Sequence, residues 1–108
     1  MELNEYQEAA LGTLLEPGRM PILYPVLGLA GETGEVVDKV KKVIRDHGGE
    51  YTPERRREIA MELGDVLWYA AVLAKDLGYG LEDIARMNVE KIYMRKKNGT
   101  IHGDGDNR

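Results

Sequence analysis

Residues 28–35 read Gly28-Leu29-Ala30-Gly31-Glu32-Thr33-Gly34-Glu35, and the prediction of the fold depends on them. Each glycine inside a helix costs about 0.5–1 kcal/mol relative to alanine, which disfavours a helix here. The helical spacing nevertheless continues across the glycines at Val26, Leu29, Ala30, Thr33, Val37, Val40 and Ile44. We therefore expect a helix, with another helix or a ligand lying close to its backbone. The alternative is a helix that covers only Val36 to Arg45.

Glycine and proline divide the chain into four helical segments. Thr52 and Pro53 predict the N-cap and the first residue of the third helix, and Gly78 predicts its end. The first helix is expected to end at Glu16-Pro17-Gly18. The predicted helices cover residues 4–15, 25–46, 53–77 and 81–97. Nothing alternates with a period of two, so we predict one all-α domain over 1–108, with an irregular tail at 98–108.

The third helix has two apolar faces. The first, predicted to be the core stripe, contains Ile59, Leu63, Val66, Leu67, Ala70, Leu73, Ala74 and Leu77. The second contains Met61, Trp68 and Val72. A helix that is apolar on two sides needs two partners. We expect the second partner to be another copy of the chain, in a homodimer or homotetramer; the alternative is the loop or the first helix.

The composition excludes several classes of protein. The chain has 108 residues, no cysteine and a net charge of −4. A chain of this length forms a single core, and the absence of cysteine suits a reducing, cytoplasmic compartment. The negative charge argues against nucleic acid as a partner, because phosphate backbones are bound through an excess of Lys and Arg. We find neither an apolar run that could span a membrane nor a signal peptide.

Two pairs of acids, Glu32/Glu35 and Glu62/Asp65, point to a metal site. Residues three apart share a face of a helix, so each pair presents two carboxylates together. Glu62 and Asp65 adjoin the core stripe, and we expect no cation among the four acids. Converging carboxylates repel one another unless a cation lies between them. Ligation by oxygen without histidine favours Mg²⁺ or Mn²⁺. The alternative is a solvated acidic face, with pairs such as Glu35 and Lys39.

The sequence around these acids resembles a known family. The strings Leu27-Gly28-Leu29-Ala30-Gly31-Glu32-Thr33-Gly34-Glu35-Val36 and Glu62-Leu63-Gly64-Asp65-Val66-Leu67-Trp68-Tyr69 are similar to the E-x-x-E and E-x-x-D motifs of MazG-like all-α nucleoside triphosphate pyrophosphohydrolases. Asn88-Val89-Glu90-Lys91 stands where that family carries an Asn and a Lys. The resemblance covers Tyr24 to Arg95. One departure is Ala30-Gly31, since relatives often carry Glu-Glu before the first motif.

The resemblance implies a helical bundle whose oligomer completes the active site. The implied reaction is hydrolysis of a (deoxy)nucleoside triphosphate to the monophosphate and pyrophosphate. By the same resemblance, Asn88 and Lys91 contact the phosphates, and the metal ligands are Glu32, Glu35, Glu62 and Asp65. Glu35 and Glu62 are the candidates for accepting the proton of the attacking water, and Tyr69 is a candidate for stacking on the base. The rival hypothesis is a non-catalytic helical module that binds Mg-nucleotide or acts in assembly.

Overall fold

A computed structural model of the protein describes residues 1–15 and 18–108. Its helices are α1 (Leu3–Leu11), α2 (Leu23–His47), α3 (Pro53–Asp76) and α4 (Leu81–Asn98), and the described residues contain no strand. The prediction of an all-α domain is therefore confirmed. The stop predicted at Glu16-Pro17 lies outside the described residues. None of the described helices combines the length and the apolar character that crossing a bilayer requires.

Helix α2 is continuous across the glycine-rich stretch, so the shorter alternative helix is wrong. Thr52 caps α3 as predicted, because its hydroxyl accepts a hydrogen bond of 3.2 Å from the Arg55 N–H. Helix α1, by contrast, ends at Leu11 and not at Leu15. Gly12 follows, and the Thr13 hydroxyl donates to the Ala10 carbonyl at 2.7 Å. This local hydrogen bond offers the backbone an alternative to another helical turn.

Helices α2 and α3 form an antiparallel pair. Gly28, near the start of α2, faces Tyr69 near the end of α3. A Cβ atom at Gly28 would lie only 2.1 Å from the Tyr69 ring, so the two helices approach where glycine leaves room. The prediction that another helix lies close to this backbone is confirmed at Gly28. Among the described residues, no atom lies within 4 Å of a Cβ built at Gly31 or Gly34.

The Gln7 side chain connects α1 to the turn between α3 and α4 by hydrogen bonds. Its side chain is buried, and its Nε2 donates to the carbonyls of Ala71 at 3.1 Å and Tyr79 at 3.2 Å. Its Oε1 accepts from the Leu81 N–H at 3.0 Å. All the hydrogen-bonding partners are backbone groups at the end of α3, in the turn and at the start of α4. One buried amide therefore fixes where three helices meet, at no cost in unsatisfied polar groups.

The core uses only part of the α3 face that was expected. Its buried members are Ala10, Ala71, Ala74 and Leu81, with Tyr6 and Trp68 packed against them. Val72, expected on the second face, is completely buried, whereas Leu63 in the expected core stripe is 58% exposed. The assignment of the core stripe is therefore wrong for Leu63, Leu67 and Leu77, which are exposed, and right for Ala74, which is buried in the core. Both faces are apolar, and the small residues Ala71 and Ala74 let α1 approach α3, so that Ala74 of the expected stripe and Trp68 of the second face share one cluster.

Trp68 gives the expected second face a partner within the chain. Its Nε1 donates to the Thr13 hydroxyl at 2.9 Å, just beyond the end of α1. The alternative that this face meets the first helix is confirmed for Trp68. The face left without a partner within the described chain is the one around Leu63 and Leu67, where a shallow apolar depression is lined by Ala60, Leu63, Gly64, Val66, Leu67 and Ala70.

An ion pair joins the segment before α2 to the last residue of α3. The Arg19 guanidinium donates to both carboxylate oxygens of Asp76, at 2.6 and 2.8 Å, and both side chains are largely buried. The Ile22 N–H also donates to Asp76, at 2.9 Å. The Arg19 hydrogen bonds, reinforced by the one from Ile22, hold the Asp76 pKa below its usual value, although burial opposes this. The carboxylate is thus charged in the folded protein.

Gly28→Ala should destabilise the protein because the new methyl group overlaps the Tyr69 ring. That ring is itself packed between Tyr24 and Trp68. We expect the free energy of unfolding to fall by about 1–3 kcal/mol in urea titrations. Gly31→Ala is the matched control, since it has open space and the usual preference of helices for alanine, and it should leave stability unchanged or raise it by up to about 1 kcal/mol. Equal effects of the two substitutions would contradict the close approach.

Asp76→Asn should lower the free energy of unfolding at pH 7 by about 3 kcal/mol, because Arg19 loses its buried partner. The native pKa of Asp76 lies below its unfolded value, so the carboxylate stabilises the fold above its ordinary pKa, near 4. This contribution is lost as the pH falls through the lower native pKa. Urea titrations of both proteins should therefore converge as the pH is lowered from 6 toward 2.

The matched control for this ion pair is Asp46→Asn. Asp46 pairs with Arg45 at 2.8 Å, but both side chains are exposed. An exposed pair contributes about 0–1 kcal/mol, so this substitution should have little effect at any pH. A gap between the Asp76 variant and the unmodified protein that persists below the native pKa would show that the loss comes from packing and not from the charge.

Candidate functional site

Three of the four predicted acids converge between α2 and α3. Glu32, Glu62 and Asp65 each offer a carboxylate oxygen within 4.8 Å of the other two, and we call this group the acidic triad. Glu32 lies four residues after Gly28, and Asp65 lies four residues before Tyr69. Glu32 and Asp65 are therefore about one helical turn from the Gly28–Tyr69 contact, and Glu62 is about two turns from it. Glu35, the fourth predicted ligand, is not a member of the triad.

The electrostatics of Glu32 reflect this crowding. Its pKa is raised, first by desolvation and then by the negative charges of Asp65, Glu62 and, least, Glu35. Glu35 is thus close enough to act on Glu32, although its oxygens do not join the triad. Like charges this close favour either a proton or a cation at the site. The described structure therefore contains an acidic cluster that could hold a metal ion.

A cation does lie beside the acids, contrary to the sequence expectation. Lys39 Nζ is 3.6 Å from Glu62 Oε1, with both side chains about one-quarter to one-third exposed. The sequence placed Lys39 as a partner of Glu35 on the same helix, but the structure directs it across to α3. Spacing along one helix could not reveal this contact because it depends on the register between two helices. One ammonium group offsets only part of the charge of three carboxylates.

Tyr69 has a structural role that the sequence did not predict. Its ring packs over Gly28, lies 6.0 Å from the Tyr24 ring and meets the Trp68 ring edge-on at 4.9 Å. Its pKa is raised, first by the interaction with the Tyr24 hydroxyl and then by burial. The ring is thus held at the α2–α3 contact, one turn from the triad. Its stacking on a base stays a prediction.

The two predicted phosphate ligands lie on a separate helix. Asn88 and Lys91 are three residues apart on α4 and line one shallow depression with Ile84 and Met87. Helix α4 contacts α1 and α3, but within the described residues it makes no contact with α2. The Glu32 carboxylate on α2 and the Lys91 ammonium group on α4 therefore lie on helices that do not contact each other within the described chain. Their joint use in one site stays a prediction.

Asp106, to which the sequence assigned no role, contacts Lys91 and Arg95. Asp106 accepts hydrogen bonds from Lys91 Nζ at 3.2 Å and from Arg95 Nη2 at 3.1 Å. The sequence contained a signal for this contact, namely an acid followed by Arg108 in a glycine-rich segment after a basic helix end. It did not show that the segment returns to the same chain's α4.

Comparison with known proteins places the chain in a family. The MazG nucleotide pyrophosphohydrolase domain matches residues 24–100, which include α2, α3 and α4 and therefore the whole acidic triad. The chain belongs to the MazG family. This confirms the resemblance seen in the motifs and agrees with the all-α MazG fold. The matched region begins four residues before Gly28 and so includes the contact that positions the triad.

A relative of this MazG domain is known from a bacteriophage. The "Gene 37 protein" of Mycobacterium phage L5 is 42% identical over 114 aligned positions, which cover 100% of both chains. Its name states no activity. No solved structure matches the chain. The family therefore indicates nucleotide pyrophosphohydrolase chemistry. It names neither the nucleotide nor the metal ion, which have to be inferred from the geometry of the triad.

Neutralising one acid of the triad should have opposite effects with and without a dication. In metal-free buffer, Glu32→Gln relieves repulsion within the triad, so its melting temperature should exceed that of the unmodified protein. In Mg²⁺ at millimolar concentration, the unmodified protein should gain stability by mass action and overtake the variant. Thermal melts with and without EDTA measure both differences.

The control for this test is Glu90→Gln, an exposed acid on α4 outside the triad. It should shift both melts equally. Glu35→Gln tests whether the site has the four ligands predicted from the sequence or only the three of the triad. If Glu35 is a ligand, the variant should lose the stabilisation by Mg²⁺. If Glu35 lies outside the metal shell, the variant should keep most of that stabilisation. A response to Mg²⁺ that is unchanged in Glu32→Gln would exclude the triad as a metal site.

Proposed function

We propose that this MazG domain hydrolyses (deoxy)nucleoside triphosphates to the monophosphate and pyrophosphate, with Mg²⁺ as its cofactor and nucleotide-pool housecleaning as its role. The observation that carries the proposal is the acidic triad, in which three carboxylates from two helices converge within 4.8 Å in a chain of this family. A structural role alone does not account for it, because a cluster of like charges destabilises a fold.

The donor set fits a hard divalent ion. The chain has no cysteine, and neither His47 nor His102 is a member of the triad, so its ligands are carboxylate oxygens. Such oxygen ligands suit Mg²⁺, and Mn²⁺ is the expected substitute. Glu32, Glu62 and Asp65 would hold the ion. When bound there, the ion would neutralise phosphate charge and lower the pKa of a coordinated water.

The remaining residues around the triad have roles that follow from their positions. Glu35 lies outside the triad but close enough to act electrostatically on Glu32, which suits the acceptor of the proton from an attacking water. Glu62 is the less suitable acceptor because it is a triad member and pairs with Lys39. Lys39 offsets part of the triad's charge through its ion pair with Glu62.

A second copy of the chain completes the site in this proposal. Asn88 and Lys91 are on α4, which makes no contact with α2 within the described residues of one chain. Apolar surface is available for association on α3 around Leu63 and Leu67, and on α2 around Val37 and Ile44. A homodimer or homotetramer that buries these surfaces would bring the cations of one chain to the acids of another. The partners are thus a nucleotide and further copies of this chain.

The test is hydrolysis of a panel of ribonucleoside and deoxynucleoside triphosphates, with products separated by ion-exchange chromatography. We expect monophosphate and pyrophosphate, and loss of activity in EDTA. Asp65→Asn removes a triad oxygen charge and should reduce kcat/KM by at least about 100-fold. Lys91→Ala should mainly raise KM, because it removes a phosphate contact. The Glu90→Gln variant is again the control.

The outcomes distinguish the proposal from its rivals. Diphosphate and orthophosphate as products would mean cleavage at a different phosphoric anhydride bond. An inert protein that still binds Mg-nucleotide would support the non-catalytic helical module. Activity that is unaffected by Asp65→Asn would place the reaction away from the triad. The panel also identifies the preferred base and sugar, which depend on the shape of the completed pocket.

A further inference from the structure

The segment 99–108 returns to α4 and places an acid on two of its cations, Lys91 and Arg95. The Asp106 carboxylate accepts hydrogen bonds from Lys91 Nζ at 3.2 Å and from Arg95 Nη2 at 3.1 Å through the same oxygen, Oδ1. The Asp106 carbonyl accepts a further hydrogen bond from Arg95 Nη2, also at 3.1 Å. Lys91 and Arg95 are four residues apart and so share one face of the helix. One anion thus bridges two cations.

The segment keeps its shape through contacts of its own. The Arg108 side chain donates to three carbonyls of the segment, those of Thr100 at 3.0 Å, Ile101 at 2.8 Å and Gly105 at 2.6 Å. These bonds close a loop that presents Asp106 to α4. The loop does not depend on the Asp106 carboxylate for closure, so that carboxylate can leave the two cations without the loop unfolding.

Arg95 has a buried N–H donor that the Asp106 carboxylate does not use. Its side chain is only 11% exposed, and its Nε–H is buried and has no hydrogen-bond partner in the described parts of the chain. Burying a donor without a partner costs free energy, so an unused donor at a cationic site indicates a missing acceptor. A phosphate group has enough oxygens to engage the guanidinium through two N–H groups, as arginine prefers.

The Asp106 contact itself is easily exchanged. The Asp106 side chain is 80% exposed, whereas the Arg95 side chain that it covers is largely buried. Water therefore competes for the carboxylate but hardly reaches the guanidinium. Exposed ion pairs contribute little to stability, so a ligand that offers more charge and more acceptors has little to overcome.

We propose that Lys91 and Arg95 form one phosphate site that Asp106 of the same chain occupies, and that a ligand's phosphate group displaces this carboxylate. The segment 99–108 is then an intramolecular competitor that lowers the apparent affinity for phosphates. The identification of the anion as a nucleotide phosphate rests on the proposed function, whereas the competition between Asp106 and an anion does not.

The experiment is a titration of the ¹⁵N-labelled full chain with inorganic pyrophosphate in EDTA, followed by NMR. The absence of divalent cations confines binding to protein cations. We expect the Arg95 Nε–H resonance and the amides of Gly103 and Gly105 to shift together. In Asp106→Asn, the dissociation constant for pyrophosphate should fall by about threefold to tenfold, because the competing charge is gone. Asp104→Asn removes an equal charge from the same segment and should change it less than twofold.

Two results would overturn the proposal. One is a pyrophosphate affinity of Asp106→Asn equal to or weaker than that of the unmodified chain; the other is a titration that shifts the triad but leaves Arg95 and the segment unmoved. Circular dichroism checks that Asp106→Asn folds. We expect it to fold because the Asp106 side chain is 80% exposed. Failure of the proposed function would appear separately, as displacement of Asp106 by pyrophosphate without hydrolysis of any triphosphate.

Discussion

The close approach of α2 to α3 at Gly28 and Tyr69 is the constraint on which the candidate site depends. An added Cβ atom would lie 2.1 Å from the ring, so the separation of the helices at this point is set by the absence of a side chain. The triad lies one to two turns away, with Glu32 on α2 and Asp65 and Glu62 on α3. Any increase in the separation at Gly28 would spread carboxylates that now lie within 4.8 Å. A glycine that weakens its own helix thereby fixes the geometry of the acids.

The same constraint explains why the acidic triad is tolerated. The packing of Tyr69 against Gly28, Tyr24 and Trp68 holds α2 and α3 together against the repulsion of the acids. Lys39 relieves part of that repulsion. Among the described residues, the fold thus keeps three carboxylates together with the Lys39 ammonium group paired to one of them, and the remaining charge is available to a dication.

The sequence was sufficient for what depends on local pattern and insufficient for what depends on packing between helices. The Thr52 cap and the continuity of α2 follow from spacing and from the chemistry of single residues, and the acid motifs identified the family. The core face of α3 could not be chosen from the sequence, because both faces are apolar and the decision depends on which one α1 can approach. Lys39 and Asp106 were missed for the same reason. Each acts across elements, in a register that periodicity does not encode.

The acidic triad and the cations Lys91 and Arg95 lie on different helices, so no single described helix offers both metal ligands and phosphate-binding cations. Acids are collected on the α2–α3 pair, whereas the cations Lys91 and Arg95 are on α4, out of contact with α2 in the described chain. A triphosphate bridged to a metal ion needs both sets. Until they meet, each set is matched locally, the acids in part by Lys39 and the cations by Asp106. Both local partners are single, partly exposed charges, so under the proposed function assembly around a nucleotide would replace weak pairs with stronger ones.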